Sequence, residues 1–233
     1  MSKGLFIVGT GTDIGKTYVT GLLLKALRDS GQRAAYFKAA MSGNARDADG
    51  NLLPGDALWV KTVSGIEQPV REMCPYVYEN AYSPHLAAKI EGNPIELHVV
   101  KERFVEVSQS YDYVTVEGSG GILCPLRFDD KQILLEDVIR ALNLPCLLVA
   151  DAGLGTINSV VLTAEYMRAR KLPVKGMIFN RFHPESVLEQ DNLRMCQHLT
   201  GLPVLACVKP GDTTLAIDTQ TLTALYESEG LTT

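Results

Sequence analysis

The sequence predicts an α/β fold, a doubly wound and mainly parallel sheet flanked by helices. Three observations predict it. Short apolar, β-rich runs alternate along the chain with stretches of helical periodicity. Those runs are apolar at every position, the pattern of strands buried on both faces. A glycine-rich loop joins the first run to the first helix, the connection that opens a parallel βαβ unit.

Strands are expected at residues 5–8, 34–37, 113–116, 146–150, 175–179 and 204–206. Helices are expected at 16–30, 55–63, 83–90, 97–110, 156–170, 185–199 and near 221–227. The first strand, Leu5-Phe6-Ile7-Val8, enters the loop Gly9-Thr10-Gly11-Thr12-Asp13-Ile14-Gly15-Lys16-Thr17. Val19, Leu22, Leu23, Ala26 and Leu27 then recur at three- and four-residue spacing, which buries one face of the first helix, and Gly31 stops it. Residues 39–55 are polar and glycine-containing after a strand end, where a long loop points to function. The later helices serve as right-handed crossovers, which puts the binding site at the carboxyl ends of the strands. No internal repeat and no low-complexity linker interrupts the pattern, so residues 1–233 read as a single domain.

Composition narrows the function. The chain is 46% apolar, ample for a buried core. Its net charge of −5 gives no electrostatic footprint for nucleic acid or for an anionic membrane. No apolar run approaches the ~20 residues of a membrane span. The first residues go from Lys3 into a strand-like run without the apolar stretch of a signal peptide. Five cysteines, odd in number and without a C-x-x-C pair, read as thiols of a reducing compartment. A cytoplasmic protein is expected.

The order strand, glycine-rich loop, Gly15-Lys16-Thr17, helix makes a phosphate cradle of the P-loop NTPase kind. Backbone N–H groups of the loop and the positive end of the helix aim at one spot. Lys16 adds a mobile charge for the β- and γ-phosphates, and the Thr17 hydroxyl can ligate Mg²⁺. The strict motif places a glycine at position 10; here Thr10 stands between Gly9 and Gly11. A turn that merely tolerates glycine is the plainer reading. The strand before and the helix after favour a nucleoside triphosphate, with Asp13, Ile14, Gly15 and Tyr18 joining Lys16 and Thr17 as nucleotide contacts.

Glu117 ends the strand Val114-Thr115-Val116 and opens the turn Gly118-Ser119-Gly120-Gly121. A carboxylate at a strand end beside a P-loop suits the Mg²⁺ site, and the glycines let backbone amides approach an anion. Lys38 closes the second strand and projects toward the same rim. Ser42 either bonds a substrate or caps a turn. Asp56 is either a dipole partner at a helix start or a further Mg²⁺ group. Asn158, in Gly155-Thr156-Ile157-Asn158, is either a cap or part of a helix N-terminus that takes a carboxylate. Asn180 either reads a base edge or makes a turn. Of the histidines, only His85 stands out as a site candidate; His98, His183 and His198 read as structural or surface residues. The chemistry expected is phosphoryl transfer, which needs charge neutralisation and positioning more than a strong base.

Together these segments resemble the dethiobiotin synthetases. The resemblance runs nearly the whole chain through the loop at 9–17, Lys38…Ser42-Gly43, Gly55-Asp56-Ala57-Leu58, Ser83-Pro84-His85, Glu117-Gly118-Ser119-Gly120-Gly121, Pro125-Leu126 and Gly155-Thr156-Ile157-Asn158. It implies MgATP-dependent carboxylation of 7,8-diaminononanoate with CO₂ and closure of a ureido ring. In the roles it implies, Lys16 and Lys38 stabilise the migrating phosphoryl group, with Thr12 beside them. Thr17, Asp56 and Glu117 hold Mg²⁺. Gly118, Ser119, Gly120 and Asn180 complete the ATP site, Asn180 at the adenine. Thr12, Lys38, Ser42 and Gly121 meet the diamine. The family is a homodimer, with Asn158 near the substrate carboxylate at the partner subunit.

The chain departs from the family pattern at several points. Ala39-Ala40-Met41 replaces a usual proline, Ala81 another, and Asp13 a frequent glutamate. Ala206-Cys207-Val208-Lys209-Pro210 differs from the usual Gly-x-Ile-Pro of the base pocket. Switch ATPases of the cell-division and partition type share the P-loop fold, but their loop usually carries a lysine that residues 10–14 lack. The acidic stretch Tyr226-Glu227-Ser228-Glu229-Gly230 also offers no basic membrane-binding helix. Cobyrinate-type synthetases carry a further glutamine-hydrolysing domain, for which 233 residues leave no room. A protein that only senses ATP would bind it without diamine-dependent turnover.

Overall fold

A computed structural model describes residues 3–227; Ser228, Glu229 and Gly230 of the acidic stretch lie outside the described residues. All six expected strands form, and they build one parallel sheet. They are β1 (Lys3–Gly9), β2 (Ala34–Lys38), β5 (Tyr113–Gly121), β8 (Cys146–Asp151), β9 (Val174–Asn180) and β10 (Val204–Val208). Their order is β10-β9-β8-β1-β5-β2. β1 is central, between β5 and β8, so the loop that follows it emerges in the middle of the carboxyl rim.

Alternation of side chains along each strand divides the core in two. On one face Phe6, Val8, Phe37, Val116, Leu148 and Phe179 pack under α4 (Leu97–Ser110), α5 (Leu135–Leu142), α6 (Thr156–Ala169) and α7 (Val187–Thr200). On the other, Leu5, Ile7, Tyr36, Leu147, Val149 and Ile178 pack under α1 (Lys16–Asp29), α2 (Gly55–Ser64) and α8 (Thr219–Ala224). These side chains are fully shielded from solvent, each contributing about 1.5–3 kcal/mol.

The edge strand β2 is covered along its open side. The Tyr36 amide donates to Gln68 Oε1 at 2.8 Å and the Lys38 amide to the Met73 carbonyl at 2.8 Å. A segment that follows α2 thus satisfies donors that would otherwise template aggregation.

Four differences from the sequence reading have local causes. β5 runs on through the glycine turn to Gly121, with a register break opposite Val8, because glycines there let two backbones close up. A Cβ on Gly118 would stand 3.0 Å from the Ile7 carbonyl oxygen. The stretch at 39–55 is not all loop: β3 (Ala40–Met41) pairs with β4 (Tyr76–Val77), both too short to register as period-2 runs. The hairpin of β6 (Pro125–Phe128) and β7 (Gln132–Leu134) is missed for the same reason of length, and helix α5 follows it directly. α8 begins at Thr219, earlier than expected, because the Asp218 side chain caps it through the Thr221 amide. Pro84 opens the short helix α3 (Pro84–Ile90) at its first turn.

Candidate active site

The phosphate loop is built from backbone geometry. Asp13 at φ 58° and Gly15 at φ 87° turn the chain, and Gly15 leads directly into α1. The rim of β9 holds the loop from outside. Asn180, 5% exposed, donates its side-chain amide to the Ile14 carbonyl at 3.0 Å. Arg181 donates to the Asp13 carbonyl and pairs with Asp151 at 2.7 Å. A Cβ on Gly15 would sit 1.9 Å from the Asn180 amide nitrogen, so that position requires glycine for space as well as for its left-handed φ. With two carbonyls turned outward and bonded, the loop is preorganised. The Lys16 ammonium is tied to the Gly11 carbonyl at 2.7 Å, and burial pulls its pKa below the ordinary 10.5.

The second half of the site is built from side chains of four elements. Lys38, 6% exposed at the end of β2, donates to Glu117 Oε1 at 2.7 Å and to Asp56 Oδ2 at 2.6 Å. Glu117, in β5, is directly opposite Lys38 in the strand register and 1% exposed. Thr17 Oγ1, from the first turn of α1, donates to the same Glu117 oxygen at 2.8 Å. Asp56 comes from the first turn of α2. Burial alone would depress the Lys38 ammonium, but the charges of Glu117 and Asp56 and their hydrogen bonds raise it above its ordinary value. Lys38 is therefore a fixed cation and not a proton acceptor.

Thr17 and Lys38 both meet Glu117 Oε1 and the same Lys38 ammonium meets Asp56, so one hydroxyl and two carboxylates belong to one hydrogen-bonded cluster. Among the described residues no group of three or more His, Cys, Asp or Glu forms a metal cluster. The oxygen set nevertheless fits Mg²⁺, which is held by one or two carboxylates and completed by substrate phosphates and water.

The other candidates divide. Tyr18 packs on Trp59 with ring centroids 5.4 Å apart, and its hydroxyl binds the Asp212 carbonyl. Ser42 donates to the Tyr82 carbonyl at 2.6 Å and Ser119 to the Ala40 carbonyl at 3.0 Å, so both lie on the wall formed by β3 and its neighbours. Gly120, at φ 60°, has Cys124 and the Thr12 hydroxyl beside its Cα, and Gly121 lies against Gly11. Thr12 thus faces Gly120, and Gly121 faces Gly11, across the loop. Asn158 does not cap α6; Gly155 occupies that position, and Asn158 is exposed in the first turn. His85 bonds Ser83 at 3.0 Å, His183 pairs with Glu189, and His98 lies 4.0 Å from Glu96. All five cysteines are free. Two residues of the assembly were not foreseen. Tyr36 donates to Glu117 Oε2 at 3.0 Å, and Arg181 clasps the loop. The signal for Tyr36 was its place two residues before Lys38 on one strand, hence on the same face.

A cavity of about 1160 Å³ opens at the opposite, amino end of the sheet, beside Lys3, Arg33 and Tyr113. It shares no residue with the phosphate loop. The phosphate loop and the Lys38 cluster lie instead at the carboxyl rim, where sheets of this topology bind ligands.

Comparison with known proteins shows what the chain is similar to. A family model described as an AAA domain matches residues 3–216. An ATP-dependent dethiobiotin synthetase BioD of Brachyspira hyodysenteriae is 47% identical over 97% of this chain and 100% of its own length. A BioD of Clostridium novyi is 48% identical over 89% of this chain and 87% of its own. Among solved structures, a MinC:MinD cell division complex of Aquifex aeolicus superposes with a TM-score of 0.54 at 12% identity, covering 89% of this chain and 81% of that one. A ParA family ATPase of Chlorobium tepidum superposes at 0.53 with 13% identity, covering 97% and 89%. At such identities these structures are alike in fold alone.

Proposed function

The chain belongs to the ATP-dependent dethiobiotin synthetase family, and from that premise we propose that it carboxylates 7,8-diaminononanoate with CO₂ and closes the ureido ring of dethiobiotin. It is an ATP-dependent ligase of biotin biosynthesis. The observation that carries the reading is the buried Lys38 ammonium, fixed between Glu117 and Asp56 beside the Gly15-Lys16-Thr17 loop.

The steps follow from that charge. One amine of the diamine adds to CO₂, forming an N–C bond and losing a proton to give a carbamate. A carbamate oxygen attacks the γ-phosphorus, the bond to the β-phosphate oxygen breaks, and ADP leaves. The neighbouring amine then attacks the carbamoyl carbon, phosphate departs with the C–O electrons, and loss of the amine proton leaves the cyclic urea. Lys16 and Lys38 stabilise charge on the transferring phosphoryl group, and loop N–H groups hold the β-phosphate. Asp13, Ile14, Gly15, Tyr18, Gly118, Ser119, Gly120 and Asn180 complete the nucleotide site. Thr12, Ser42 and Gly121 line the diamine–carbamate end. Thr17, Asp56 and Glu117 would hold Mg²⁺, which when bound neutralises phosphate charge.

In this reading the enzyme is a single-domain cytoplasmic homodimer, with Asn158 receiving the substrate carboxylate near the partner subunit. Apolar exposure around Asn158 supports the dimer: Leu162, one turn along α6, is 63% exposed and Leu154, just before the helix, 91%. Free thiols throughout support the compartment. Among the described residues no helix is long and apolar enough to cross a membrane.

Phosphate release from MgATP, measured with and without 7,8-diaminononanoate and bicarbonate, tests the function. Diamine-dependent release with a cyclic-urea product is expected. Tight ATP binding with no diamine stimulation would overturn it.

A further inference from the structure

The two oxygens of Glu117 are not equivalent. Oε1 accepts from Thr17 at 2.8 Å and from Lys38 at 2.7 Å. Oε2 accepts from the Tyr36 hydroxyl at 3.0 Å. Tyr36 and Lys38 lie two residues apart on β2, so one strand face grips the carboxylate at both ends. Tyr36 is fully buried, with its backbone amide fixed by Gln68 at 2.8 Å. It has no room to follow the carboxylate if that rotates. Burial first, then the charge of Glu117, keeps its phenol protonated, so it acts as a donor throughout.

We propose that Tyr36 is a positioning residue of the phosphoryl-transfer site: its buried hydroxyl fixes the rotamer of Glu117 so that Oε1 alone faces Thr17 and Lys38 and the carboxylate stays in the orientation in which it would hold Mg²⁺. The proposal rests on the reading of Glu117 as a Mg²⁺ ligand. Without the Tyr36 hydroxyl, Oε2 is left buried and unpaired. Lys38, the adjacent cation, can then draw both oxygens toward itself, and the carboxylate is withdrawn from the metal.

The test is calorimetric ATP binding across a Mg²⁺ titration, a readout independent of turnover, with kcat and KM for ATP measured in parallel. Tyr36→Phe keeps the ring and its packing. It is expected to raise the Mg²⁺ concentration at half-maximal effect about tenfold, in line with the loss of one hydrogen bond to a charged group. Its kcat should be restored toward the unmodified value at saturating Mg²⁺. Tyr226→Phe is the control: Tyr226 is 1% exposed on the same sheet face, but its hydroxyl meets Thr115 at 2.6 Å and not the site. It should destabilise the fold comparably and leave the Mg²⁺ titration in place. Glu117→Gln is run beside them. If Glu117→Gln leaves the titration unchanged, the metal reading itself fails. If Glu117→Gln shifts it and Tyr36→Phe does not, or if Tyr226→Phe shifts it equally, the positioning role of Tyr36 is overturned. Should Tyr36→Phe not fold, site-specific 3-fluorotyrosine at position 36 retains the donor and should keep the unmodified half-saturation; a tenfold rise there would overturn the proposal.

Discussion

The phosphate loop and the Lys38 cluster lie on one rim of the sheet and are made in opposite ways. The loop is nine consecutive residues shaped by their backbone, with its special conformations at Asp13 and Gly15. The cluster draws Tyr36 and Lys38 from β2, Glu117 from β5, Thr17 from α1 and Asp56 from α2, and nothing in it depends on backbone φ. The difference is one of chemistry. A phosphate shell can be prepared by local folding, because N–H groups are present wherever the chain turns. A buried cation with two carboxylates has to be assembled across the fold, because an isolated buried charge would be too costly to keep. ATP affinity should therefore answer to the loop, and turnover and metal dependence to the cluster.

The strongest way to break that division is Gly15→Ala. It forces a left-handed residue and pushes Asn180 from the Ile14 carbonyl. Together these are expected to lower ATP affinity about 100-fold, the sum of a strain and a lost buried hydrogen bond. Calorimetric affinity close to the unmodified value would mean that the loop is not the main anchor. Glu117→Gln addresses the other side. It leaves Lys38 with only the partly exposed Asp56 as a charged partner. An unfolding free energy lower by about 1–3 kcal/mol is expected, with a Mg²⁺ half-saturation about tenfold higher. Denaturant melts and a metal titration check both, and an effect on metal-free ATP binding would blur the comparison.

Two smaller effects calibrate it. Ser186→Ala removes the N-cap of α7, which belongs to neither region. It should lower stability by about 1 kcal/mol and leave ATP affinity and the metal titration unchanged. Asp218 is held below its ordinary 3.8 by the Thr221 hydroxyl and amide. A depressed carboxylate contributes stability above its unfolded pKa and loses it as pH falls through the folded value. The difference in melting temperature between the unmodified protein and Asp218→Asn should therefore be full at neutral pH and close below 3.8; a constant difference would contradict the capping role.

The same contrast explains what the sequence disclosed. Long apolar strands announced themselves, and all six of the parallel sheet stand where their residues placed them, because burial on both faces leaves an unbroken apolar run. The phosphate loop was legible because its chemistry is contiguous. Lys38 and Glu117 were legible as strand-end residues, yet their contact is a matter of strand order: β5 inserts between β1 and β2, which no local pattern encodes. Tyr36 reads as one more apolar strand residue until β5 brings a carboxylate to its hydroxyl. Arg181 reads as a surface charge until β9 comes beside the loop. The short pair β3–β4 escaped because two residues carry no periodicity.

The most direct measurement is ATP affinity and diamine-dependent phosphate release side by side in Lys38→Ala. Affinity within a few-fold of the unmodified protein with phosphate release lost is the predicted result. A collapse of ATP affinity together with turnover would contradict the division of labour between loop and cluster.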